Sequence, residues 1–133
     1  MKDIEKVLSG KIIFEKYKTI KKIGKGSYST VFLAQNIINK KYYALKVQTK
    51  NHKYGSLEKE AYYLFLLKYI GIPKILSYGK LGQYQILVEE LLGKTLEELF
   101  SENINKPSII RLKDMIMAGK QILEIIKYIH LIF

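Results

Sequence analysis

Two stretches of β-type sequence meet at a glycine turn, and that junction limits what the rest of the chain can become. Residues 17–23 alternate Tyr or Thr with Lys and Ile and read as a strand entering Gly24-Lys25-Gly26-Ser27; residues 30–34 resume the strand pattern. Glycines at such a turn let the backbone approach phosphate closely and aim N–H groups at its oxygens. Taken alone, a glycine hairpin is more often just a tight turn. One class drops out at once. The dinucleotide fingerprint needs a helix after its glycines, and here a strand follows.

The next strand, over residues 41–48, puts Tyr43, Leu45 and Val47 on one face and Ala44 and Lys46 on the other. A small residue followed by a lysine, beneath a glycine flap, is what an adenine ring and two phosphates require. A solvated strand lysine is the plain alternative in a chain with 22 Lys. After a loop at 51–55, Ser56 reads as an N-cap, and Leu57, Ala61, Leu64 and Leu67 follow at helical spacing, the helix ending by Gly71 with Pro73 behind it. Glu60 lies one turn before Leu64 and can border the buried side, where it would orient Lys46. Glu58 is the competing acid.

Residues 75–78 and 84–88 read as short strands joined by a turn over 80–83. The second leads through Ile86-Leu87-Val88-Glu89-Glu90-Leu91-Leu92-Gly93 into a linker whose backbone can serve an adenine edge. Helical sequence follows, first over 96–100 and then over 112–131. The last helix is apolar on more than one face, with Ile109, Ile116, Ile122 and Ile129 among its residues, which suits a helix enclosed on several sides. A protein partner covering it is therefore expected.

The bulk properties bound these readings. At 133 residues, 48% of them hydrophobic, the chain can build one compact domain. Without Cys it has no disulfide and no thiolate metal site, and His52 and His130 suggest none either. The net charge of +11 comes from dispersed lysines and the single Arg111. Specific nucleic-acid readout favours arginine forks, so a lysine-rich solvated surface is the better account. The first residues lack a secretory pattern, and the longest apolar run, residues 61–67, is too short to span a bilayer. The expected location is the cytoplasm, with the nucleus as the alternative.

In this order and spacing the motifs resemble the N-terminal lobe of eukaryotic protein kinases. Within that family the chain looks most like casein kinase I. The resemblance rests on Leu57-Glu58-Lys59-Glu60, Gly71-Ile72-Pro73, Glu90-Leu91-Leu92-Gly93, Leu96-Glu97-Glu98-Leu99-Phe100 and Tyr128-Ile129-His130. It implies an α+β fold: an N-terminal extension over 1–16, a kinase N-lobe over 17–92 with a five-stranded antiparallel sheet and one helix, and the first helices of a C-terminal lobe over 93–133. It also implies an ATP site. Gly24, Gly26, Ser27 and Tyr28 would cover the phosphates, and Ile23, Val31 and Ala44 would sandwich the adenine. Lys46 would bind the α- and β-phosphates and pair with Glu60, while the Glu90 carbonyl and the Leu92 N–H hold the base edge.

Three positions depart from the family pattern. Ser29 stands where the third loop glycine would be, which should stiffen the flap. Glu89, just before the hinge, replaces an apolar or small uncharged residue; a carboxylate there must turn away, find a cation, or rise in pKa through desolvation. The sequence ends at Phe133, where the family enters its His-Arg-Asp loop. The expectation is therefore a truncated portion with no catalytic residue and no metal ligand of its own, with Mg2+ and a protein Ser/Thr substrate joining only a completed kinase.

Overall fold

The computed structural model describes residues 3–49 and 56–133. The loop expected over 51–55, His52 included, lies outside the described residues. In chain order the elements are α1 (Ile4–Leu8), β1 (Ile12–Ile13), β2 (Tyr17–Lys25), β3 (Thr30–Asn36), β4 (Tyr42–Thr49), α2 (Leu57–Leu66), β5 (Ile75–Leu81), β6 (Tyr84–Glu90), α3 (Leu96–Glu102) and α4 (Ser108–Ile132).

The strands form one antiparallel sheet in the order β1-β2-β3-β4-β6-β5. Five of its six strands match the expected sheet. The sixth, β1, holds only two residues, too few to show an alternation in sequence. Helix α1 likewise lies inside what read as a plain extension. Asp3 starts it by accepting the Glu5 N–H at 3.1 Å.

Each face of the sheet has its own job. One carries Phe32, Leu45, Val47, Ile86 and Val88, all at most 1% exposed, and α1 packs on it through Leu8. The Thr19 hydroxyl, buried beneath, donates to the Leu8 carbonyl and fastens α1 down. On the opposite face Leu87 packs against Leu57 and Ala61 of α2, with Leu64, Ile75 and Tyr78 around them. Alternation thus separates Tyr43, Leu45 and Val47, which point into the first core, from Ala44 and Lys46, which point the other way.

Local chemistry explains the connections. After β3 the Asn36 carboxamide oxygen accepts the Ile38 and Asn39 N–H groups at 2.8 and 3.2 Å, a side-chain turn that leads the chain back into β4. Ser56 starts α2, its hydroxyl accepting from the Glu58 N–H at 3.2 Å. That helix stops at Leu66, earlier than expected. Gly79 in β5 sits under the Phe14 ring, whose carbons lie 2.9 Å from where a Cβ would be, so any side chain there must displace the ring.

The chain divides into two units: one holds the residues up to Leu66 and Pro73–Leu91, the other Leu67–Ile72 and Leu92–Phe133. In the second, α3 begins with a capping box in which Thr95 and Glu98 satisfy each other's backbone. Tyr69 stacks on Tyr128 with ring centroids 4.4 Å apart. No residue of α4 is buried. Among the described residues no helix is long and apolar enough to cross a membrane.

Candidate functional site

The site is set by where α2 crosses the sheet. Leu57, Ala61 and Leu64 occupy the inward stripe of the helix, and Leu87 on β6 is the surface they meet. The Leu57 N–H donates to the Gln48 side-chain oxygen at 2.9 Å, tying the helix start to β4. Glu60 flanks the stripe and is carried over β4. There both its oxygens accept from the Lys46 ammonium, at 2.8 and 3.0 Å. Glu58 goes elsewhere: it lies by Tyr78, whose hydroxyl pKa is raised by burial first and by the Glu58 charge second. Geometry thus decides between the two acids in favour of Glu60.

Above this ion pair is the glycine turn. Gly24 pairs with Val31 across β2 and β3, and Val31 in turn pairs with Lys46. Register slips between Lys22 and Gly24, leaving Ile23 in a bulge and about half exposed at 46%. The Gly26 N–H donates to the Ser29 carbonyl at 2.8 Å and closes the turn. A Cβ at Gly24 or Gly26 would meet nothing nearer than 3.7 Å. Neither has a positive φ. The fold itself does not require glycine at these two positions, so their use lies in what can approach from outside.

Turn, lysine and helix enclose a cleft of about 470 Å3, lined among others by Gly26, Ser27, Tyr28, Lys46 and Glu60. Five sequence-predicted residues therefore meet in one place. Gly24, Val31 and Ala44 continue the same sheet region without lining that cleft. Glu90 closes β6: its N–H donates to the Lys74 carbonyl at 3.0 Å, and its carboxylate accepts the Lys74 N–H at 2.9 Å. Leu92 belongs to the second unit.

Glu89 stands opposite Ala44 in the β4–β6 register, and residues paired across strands share a face. Its carboxyl is therefore on the Lys46 side. Desolvation raises its pKa above the ordinary value and Glu60 adds to this, while the Lys46 charge pulls the other way. Desolvation dominates, the outcome in which the carboxylate neither turns fully to water nor captures a cation.

A family model described as the protein kinase domain matches residues 17–132. The chain belongs to the protein kinase domain family. A crystal structure of a kinase domain is 29% identical over 73% of this chain, with a TM-score of 0.61. This kinase chain spans about a third of that one, 32% of its length.

Sequence reasoning missed several residues of the kinase cleft. Gln48, Ser56, Leu57 and Lys59 also line it, beside Ser29, which the sequence had already placed in the flap. Alternation along β4 extends from Ala44 and Lys46 to Gln48, so that residue had a signal. The others depend on how α2 and the turn fold over the sheet, which no local pattern encodes.

Proposed function

We propose that this chain is the ATP-binding portion of a casein kinase I-like serine/threonine protein kinase. The observation that carries the nucleotide reading is the Lys46–Glu60 ion pair beneath the glycine turn. An ammonium held by two carboxylate oxygens has one direction left to reach, and a polyphosphate arriving under the turn meets it there. The resemblance to casein kinase I rests on the Glu90-Leu91-Leu92-Gly93 and Gly71-Ile72-Pro73 passages.

In this reading each residue has a separate task. Backbone N–H groups of Gly24, Gly26, Ser27 and Tyr28 face the phosphate oxygens. Lys46 neutralises the α- and β-phosphates, and Glu60 keeps it from swinging into water. Ile23, Val31 and Ala44 give the base an apolar surface, and the Glu90 carbonyl and Leu92 N–H read its edge. The sequence contains no His-Arg-Asp and no Asp-Phe-Gly triplet. In a completed kinase of this kind the base that accepts the substrate hydroxyl proton, and the ligands for Mg2+, come with those motifs, and the compartment we propose is the cytoplasm or nucleus.

Calorimetric titration with ATP tests the site. The parent chain binds, and Lys46→Ala lowers affinity at least tenfold while its unfolding midpoint changes little. Equal binding by both would place the phosphates elsewhere. In a form with transferase activity, Lys46→Ala abolishes transfer to protein Ser/Thr.

A second reading, a non-catalytic nucleotide-binding or protein-interaction module, is favoured by α4, none of whose residues is buried although many are apolar. It predicts a stable complex with another protein, isolated at the native chain length.

A further inference from the structure

Among the described residues the Glu89 carboxylate takes part in no hydrogen bond and no ion pair. It is nevertheless partly buried, in the middle of a sheet, with Ala44 beside it on β4 and Ile75 on β5. Lys46, whose charge reaches it, is already engaged, because both Glu60 oxygens hold that ammonium. A partly desolvated carboxylate that meets no protein donor has acceptor capacity to spare, and a donor carried in by a ligand can fill it.

The position of Glu89 says what that donor is. Ala44 and Lys46 lie two residues apart on one face of β4, and Glu89 pairs with the first of them. If Lys46 meets the phosphates, the base lies toward Ala44, and Glu89 borders the edge of the base that faces into the sheet. An ionised carboxylate can only accept hydrogen bonds. Such a group can accept from the exocyclic amino group of adenine and would repel the carbonyl oxygen that guanine carries at the same position.

We propose that Glu89 is a specificity-determining residue of the nucleotide site, selecting 6-aminopurine over 6-oxopurine nucleotides through its carboxylate. The inference rests on the nucleotide reading given above. It concerns the Glu89 side chain alone and not the backbone groups assigned to the base edge.

Its test is competition of ATP and GTP against a fluorescent ATP analogue on the 133-residue chain, with Glu89→Gln and Glu89→Met as variants. Glutamine keeps the shape and can turn its amide to donate to a 6-oxo group; methionine removes polarity altogether. The parent should prefer ATP over GTP by roughly ten- to a hundredfold, the scale of discrimination that a hydrogen-bonded contact to a base edge supplies. Glu89→Gln should reduce that ratio about tenfold or more, chiefly by improving GTP. Glu89→Met should reduce it less, through weaker ATP binding. An unchanged ratio in both variants, with ATP still bound, overturns the proposal and leaves the nucleotide reading standing. A shifted unfolding midpoint with an unchanged ratio would make Glu89 only a charge near Lys46. Failure of the parent to bind either nucleotide overturns both readings together.

Discussion

Lys46 and Glu60 show how little a residue's identity says before its neighbours are known. Lys46 is one of 22 lysines, and only its alternation with Ala44 singled it out in the sequence. The choice of Glu60 over Glu58 needed the helix stripe of Leu57, Ala61 and Leu64 to be placed on Leu87. Glu89 is the residue where physics and family pattern pull apart, and it has a measurable consequence. Its raised pKa means that the ionised form disfavours folding. The stability it withholds is fully present below the ordinary carboxylate pKa and is lost as pH rises through the raised value. Glu89→Gln, which cannot ionise, should therefore melt at a higher temperature than the parent near about pH 8, and the gap should close as pH falls toward about 4. A gap that widened toward acid would mean that the carboxylate is stabilised in the folded chain.

At the scale of elements, the strand sequence was the most readable part. Period-two alternation marked β2 and β4, a short apolar run and flanking turns marked β5 and β6, and the Asn36 and Gly82 turns carry ordinary turn chemistry. Short pieces were not readable: β1 has two residues and α1 five, and both exist because Leu8 and Ile13 fill a core formed by distant strands. Glycines divide by role in the same way. Gly71 has φ +93°, and a Cβ there would lie 2.6 Å from the Ile125 side chain, whereas Gly26 has room and an ordinary backbone. Gly71→Ala should therefore cost about 2 kcal/mol in denaturant unfolding, from left-handed strain plus the displaced Ile125. Gly26→Ala should leave stability unchanged or raise it by up to about 1 kcal/mol. Reversal of the two would mean that the glycine turn is there for the fold and not for a ligand.

For the whole molecule, the kinase family accounts for residues 17–132, and the structure adds the α1–β1 segment as a clasp on the sheet face away from the cleft. Fold class could be read from element order and the glycine–lysine–acid spacing together, since no single motif carried it. The closing of the cleft could not, because it depends on how α2 crosses the sheet. What the account stakes most on is that a nucleotide triphosphate sits under the glycine turn and on Lys46. Hydrogen–deuterium exchange of the chain, with and without ATP, in parent and Lys46→Ala, tests this most directly. ATP should slow exchange over residues 24–29 and in β4 of the parent, and this protection should vanish in the variant. Protection that spared both the turn and β4, or equal protection of the turn without Lys46, would contradict it.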